Sequence, residues 1–317
     1  MQKFQPFQFT EKLSALGERQ GKVETKAAAL IRSELKKFHV VFVTEKFITH
    51  IPKFISAHVV ADKKIIPAIP TSFVSGTITN KSAIVSSMIS SQRFIDDANI
   101  NFNPYCHTIS RSNHYFAPSC AIAPEHLRTI CDAKKVRAEV RVKKMQHESQ
   151  NILIGNMKNP RAIFMGHYDS LGPGVIDNAS GTALLMQLAI EHPEILHDNL
   201  LIIAGNEELS YDHPLYWGRG YRVCEKKHRK IFERAEKLIG VDCVGHAPTL
   251  LYSDPATVRL AIPLTHREQW AHKMFLLAGD LNALNPVYHS TADDGTLVPI
   301  QQKYLIQTKN LALKIAG

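Results

Sequence analysis

The sequence predicts an α/β fold: a three-layer α/β/α sandwich on a mixed, centrally parallel sheet, with a smaller β-rich subdomain inserted. Three observations carry this expectation. Mainly apolar runs at 161–166, 199–205 and 237–241 each end where an acidic or imidazole side chain begins. A helical apolar pattern at 182–190 lies between the first two runs and stops before Pro193. From about Val40 to Val142 the pattern changes to short β-rich stretches punctuated by prolines.

Each apolar run is one strand long and reads as buried on both faces, as strands inside a parallel sheet do. In open α/β sheets, sites gather outside the carboxyl ends of the strands. His167, Tyr168 and Asp169 follow the first run, Glu207 and Glu208 the second, and Asp242 the third. Asp177 opens the segment D-N-A-S-G at 177–181, and His289 lies in the loop Y-H-S-T-A-D-D at 288–294. Paired carboxylates at the end of a buried strand are costly unless a cation compensates them, because hydrogen bonds alone return too little of the lost solvation. Two histidines and three carboxylates suit a pair of zinc ions, which take imidazole nitrogen and carboxylate oxygen and keep a position open for water. One carboxylate must then bridge two metals roughly 3.5 to 4 Å apart. Glu207 is left over as a base.

The order H-x-D, D-N-A-S-G, E-E, a strand-terminal D, and Y-H before an acidic pair resembles the co-catalytic di-zinc aminopeptidase family, which includes glutamate carboxypeptidase II. H-x-D or E-E alone is common in solvated loops and helices; the five elements in this order carry the likeness, which covers most of residues 150–317. The resemblance implies that His167 and Asp242 hold one zinc, Glu208 and His289 the other, and that Asp177 bridges them. It implies Glu207 as general base, Asp169 fixing the ring of His167, and Tyr288 helping to polarise the scissile carbonyl. Metal-bound histidines usually donate their second ring proton to a carboxylate or carbonyl, which suits Asp169. The expected activity is that of a zinc-dependent exopeptidase, an aminopeptidase acting on peptides with two Zn2+ ions, for which Co2+ or Mn2+ substitute in vitro. A carboxypeptidase-type hydrolase and a glutaminyl-cyclase-like acyltransferase, expected to use one zinc, are the alternatives on this scaffold. A non-catalytic binding module should have lost ligands or the base, and here all are retained.

The segment after Asp177 supports the same reading. Asn178, Ser180 and Gly181 are capping and small residues that start the helix, so Asp177 is expected at a helix entrance, where the partial positive charge favours an anion. After the paired glutamates many relatives continue with a glycine-rich stretch, whereas residues 209–220 hold Tyr211, Tyr216, Trp217 and Arg219. These side chains suit either the lining of a substrate pocket or plain loop packing. Asp293 and Asp294 read as loop caps or outer partners of the site.

A chain of 317 residues, 44% hydrophobic and 21% charged, can bury one large core plus a smaller unit, which excludes fibrous and disordered classes. Its formal charge of +9 is uneven: residues 1–150 hold 22 Lys and Arg against 12 Asp and Glu, while 151–317 hold 16 against 17. The basic residues form only short clusters, which disfavours nucleic acid as a partner and leaves an acidic or carboxylate-bearing peptide as the better match. A helix is expected over 25–38, with Ala27, Leu30, Ile31 and Leu35 on one face, similar to the family's opening helix. Strand-like runs at 39–43, 57–60, 71–75, 83–86 and 136–142 follow. Their placement is similar to the protease-associated type domain of several relatives. The expected division is a peptidase domain of 1–40 and 143–317 with residues 41–142 inserted.

Five cysteines without C-x-x-C spacing signal neither a disulfide framework nor a thiolate zinc knot. Cys243 is expected to face away from its neighbour Asp242. Most of the sixteen histidines, including His114, His228 and His246, read as surface or end-capping residues. The first ten residues lack a secretory pattern, and no run approaches the roughly 20 apolar residues that span a bilayer. A soluble cytoplasmic chain without a membrane partner is expected, although a mature secreted chain would read the same; homo-oligomerisation is left open.

Overall fold

The computed structural model describes residues 3–79, 83–88, 97–213 and 215–317; Met1, Gln2 and Pro214 of the segments discussed above lie outside the described residues. The chain opens with helices α1 (Pro6–Ser14) and α2 (Lys22–Lys37), followed by a long strand β1 (Val43–Ala61). Short strands come next: β2 (Lys64–Pro67), β3 (Ile69–Pro70), β4 (Gly76–Ile78), β5 (Ile84–Ser86), β6 (Asn99–Phe102) and β7 (Ser119–Ala121). A short helix α3 (Leu127–Asp132) leads into the second long strand, β8 (Val136–Gly155), and then β9 (Ala162–His167) and α4 (Ser180–Glu191). The remainder runs β10 (Asn199–Ala204), α5 (Arg219–Lys227), α6 (Arg229–Arg234), β11 (Lys237–Val241), β12 (Leu250–Tyr252), α7 (Pro255–Ala261), α8 (Arg267–Trp270), β13 (Met274–Ala278) and α9 (Gln302–Ala316).

Two compact units result. One comprises Met1–Thr49, His147–Ala283 and Asp294–Gly317, the other His50–Gln146 and Leu284–Asp293. Strands β1 and β8 contribute residues to both. In the first unit the sheet order is β12-β13-β11-β9-β10-β8. Its four central strands are parallel, with β12 and β8 antiparallel at either side. This is the mixed, centrally parallel sheet expected from the sequence.

Alternation along the strands divides the core into two layers. Ile163 and Met165 of β9, with Leu200 and Ile202 of β10, pack against Tyr221, Phe232, Val258, Ile262 and Trp270 from α5 to α8. Residues pointing the other way, such as Phe164, Leu201 and Ile203, are also buried, on the side where α4 packs on β9, β10 and β11 and is itself flanked by α1 and α9. Each such side chain, once fully buried, contributes about 1.5–3 kcal/mol. Runs that are apolar at every position are therefore what a sheet covered on both faces requires.

The second unit has its own core, centred on Val59, Ile66, Ile78, Ile100, Ile122 and Val140. Within it β1 pairs with β2, β4 pairs with β8, and a separate sheet runs β3-β7-β6-β5. The expected short strands are only partly right. Residues 57–60 and 136–142 belong to strands of 19 and 20 residues, and Pro52 lies inside β1 without ending it. Proline is tolerated in a strand wherever no ladder bond is asked of its nitrogen. His39, with φ of +56°, turns the chain out of α2, so the strand begins at Val43 and not at 39. Residues 71–75 form no strand beyond a single bridge from Ser72 to Tyr115. No helix among the described residues is long and apolar enough to cross a membrane.

Candidate metal centre

Register brings the site together. His167, the last residue of β9, pairs with Ala204, the last of β10, and Gly240 of β11 pairs with Met165. Asp242 therefore follows level with His167, and the turn through Gly205 and Asn206 delivers Glu207 and Glu208 just beyond the same edge. Asn206 makes that turn with φ of +52°, and its side-chain amide donates to Leu209 O at 2.6 Å. A Cβ on Gly205 would meet Tyr168 Oη, Glu24 Oε1 and Ser149 Oγ at 2.5–2.6 Å, so a larger residue beneath the turn would force these side-chain tips to shift.

Asp177 arrives by a different route, in the turn Val175–Ala179 that enters α4. Its neighbour Asn178 ties that turn to β11. The Asn178 amide nitrogen donates to Val241 O at 2.8 Å, and its oxygen accepts from Gly181 N at 3.1 Å. The Asp177–Asn178 peptide is cis.

At the strand ends, one ligand atom from each of His167, Asp177 and Glu208 lies within 4.8 Å of the others, and all three residues are buried. His167 Nε2 is 3.3 Å from Asp177 Oδ1 and 3.6 Å from Asp242 Oδ1. Its other nitrogen, Nδ1, faces Asp169, 3.2 Å from the backbone oxygen and 3.6 Å from Oδ1. The Asp169 carboxylate also accepts the backbone N–H groups of both Glu207 and Glu208, each at 2.9 Å. One fully buried acid thus orients the histidine at the end of β9 and both glutamates after β10.

Electrostatics follow from this crowding. Burial works to lower the pKa of His167, but Asp169, Asp177 and Asp242 outweigh it and hold the imidazole well above its ordinary value. Burial raises Glu207 well above the usual carboxylate range, with Glu208, Asp169 and Asp242 adding and His167 opposing. Asp242 Oδ1 is buried with no hydrogen-bond partner among the described residues. Imidazole nitrogen with several buried carboxylate oxygens is a donor set that fits a divalent metal such as zinc, whose charge would offset the mutual repulsion of the acids.

Two supports were not legible in the sequence. Arg19, fully buried, donates from Nε to Tyr168 O at 2.6 Å, from Nη2 to Gly174 O at 3.0 Å, and from Nη1 to Pro173 O. It fixes the loop between His167 and Asp177. Glu24 is buried beside Tyr168 and is engaged by His147 Nε2 at 3.0 Å and by Ser149 Oγ. A lone basic residue in the loop between α1 and α2, or an acidic one in α2, gives no local signal of such distant partners.

Cys243 corrects one expectation. Its thiol lies within 4.8 Å of carboxylate oxygens of Asp177 and Asp242, because φ of +51° breaks the strand alternation that would have turned it away. His114 and His246 are likewise buried and not on the surface. In the loop 209–220, Asp212 pairs with Arg219 at 3.1 Å and Arg222 at 2.9 Å, and Tyr216 stacks edgewise on Trp217.

His289 and Tyr288 belong to the second unit. There His289, with φ of +49°, has Nδ1 3.3 Å from Arg111 O, while its own backbone oxygen accepts from Arg111 N. The rings of Tyr288 and His289 stack at 3.8 Å, and Ser110 Oγ donates to Tyr288 O at 2.6 Å. Asp293 is buried, whereas Asp294 caps its own turn through Thr296.

Residues 151–210, from β8 through the paired glutamates, match the sequence profile of Peptidase family M28. Over that stretch the match agrees with the resemblance drawn from the motifs. Among solved structures, the chain is similar to the zinc aminopeptidase from Bacillus subtilis, with a TM-score of 0.67 and 17% identity over 97% of this chain and 92% of the other. It is similar to the aminopeptidase from Aneurinibacillus sp. strain AM-1, with a TM-score of 0.65 and 16% identity over 98% and 91%. A glutaminyl cyclase from an Acidobacteriales bacterium shares the fold with a TM-score of 0.54 and 12% identity over 99% and 94%. No curated protein sequence matches the chain.

Proposed function

We propose that the chain is a zinc-dependent exopeptidase, an aminopeptidase that releases N-terminal residues from peptides. The observation that carries this reading is the convergence of buried His167, Asp177 and Glu208 with half-buried Asp242 at neighbouring strand ends, with Glu207 beside them. The M28 match over residues 151–210, which holds all of these residues except Asp242, supports it. Of the assigned ligands, His167 and Asp242 would hold one zinc, Glu208 and His289 a second, and Asp177 would be shared; His289 enters on sequence order.

Zinc bound by these residues supplies a polarised carbonyl and a more acidic water. The chain's own groups do the rest. Asp169 fixes the ring of His167 and, through two backbone N–H groups, the direction in which Glu207 leaves the turn. Glu207 takes a proton from the attacking water and delivers it to the leaving amine. Tyr288 is assigned to the scissile carbonyl on the same sequence grounds as His289.

The test is a panel of free and N-blocked peptides, assayed with and without chelator and after zinc is restored. Release of residues from free N-termini only, lost with chelator and regained with zinc, is expected. Cleavage of blocked peptides from the carboxyl end would reassign the chain to a carboxypeptidase. Ring closure of an N-terminal glutamine without residue release would reassign it to cyclase chemistry.

A further inference from the structure

A second group of metal-type donors lies in the first unit, apart from the four ligands at the strand ends. Glu45 sits near the start of β1, Cys224 in α5, and His228 directly after that helix. One ligand atom from each lies within 4.8 Å of the others. His228 Nε2 is 2.8 Å from Glu45 Oε1. The Glu45 side chain is only 5% exposed, and its second oxygen, Oε2, is buried with no hydrogen-bond partner among the described residues.

That orphaned oxygen is the informative atom. A buried carboxylate oxygen without a donor is left with its desolvation cost uncompensated. Lys227 Nζ does reach Oε1 at 2.9 Å, but the lysine side chain is 59% exposed, and ion pairs with one partner in water contribute little. Cys224 is buried, and burial pushes its thiol up, with Glu45 adding to the effect. Thiolate, imidazole and carboxylate together form the borderline-soft donor set that zinc accepts and that calcium and magnesium do not favour.

We propose that Glu45, Cys224 and His228 bind a divalent cation of the zinc type at a site separate from the His167 cluster. On binding, the Cys224 S–H bond breaks and a sulfur–metal bond forms, the proton passes to solvent, and no electron changes hands. His228 contributes a ring-nitrogen lone pair, Glu45 its carboxylate, and the exposed Lys227 ammonium moves off into water. The ion fastens the beginning of β1 to the end of α5, whose Tyr221 lies in the main sheet core.

The experiment uses the full chain, stripped of metal and titrated with Co2+. Two signals are followed: the near-ultraviolet thiolate-to-cobalt charge-transfer band, and bound cobalt by elemental analysis. The band is expected in the parent and in Cys243→Ser, and lost in Cys224→Ser, which binds one ion fewer. A parent without the band, or a band that survives Cys224→Ser, overturns the proposal. His228→Asn leaves the thiol in place at a partly exposed position and should shift the band's titration midpoint at least tenfold; an unshifted midpoint also overturns it. Repeating the titration in Asp177→Ala separates the two centres, because the band should persist there whatever becomes of the proposed peptidase centre.

Discussion

Glu207 stands 8% exposed at a turn where burial raises its proton affinity, with Glu208, Asp169 and Asp242 adding to it. Replacing it with glutamine keeps shape and burial but removes the base. Glu207→Gln should lower kcat by about a hundredfold to ten-thousandfold while the metal content, read by elemental analysis, stays at the parent level. Turnover within a few-fold of the parent would remove Glu207 from the mechanism. That His167, Glu208 and Asp242 would meet was legible because each closely follows an apolar run, and Asp177 was placed by the helix start that follows it. The second task of Asp169, holding two glutamate amides at 2.9 Å, was not, because nothing local marks which distant N–H a carboxylate will accept.

At the scale of the element, the strands that deliver the site were read almost to the residue. β9, β10 and β11 are covered on both faces, so burial alone fixes their composition. The first half was read less well, since β-propensity depends on the neighbours a strand finds. Runs 57–60 and 136–142 proved to be pieces of β1 and β8. The turn after β10 offers a direct check. Gly205→Ala places a methyl group against Tyr168 Oη, Glu24 Oε1 and Ser149 Oγ, and overpacking of this kind costs about 1–3 kcal/mol. A urea midpoint lowered by that amount with an unchanged slope is the expected result; an unaltered midpoint would mean the turn has room to give.

Across the whole molecule, a ligand that binds only the folded chain stabilises it by mass action. Zinc at a hundredfold its dissociation constant should add about 2.7 kcal/mol per site, so chelator should lower the thermal midpoint and restored zinc should return it. Equal midpoints with and without chelator would argue against a resident metal. Arg19 adds a consequence for how the molecule assembles. Its guanidinium reaches over about a hundred and fifty residues of chain to three carbonyls of the loop between His167 and Asp177. A fragment starting after Thr49 would retain every parallel strand yet strip those carbonyls of their Arg19 donors. The loop between His167 and Asp177 therefore takes this shape only once the segment joining α1 and α2 has docked on it.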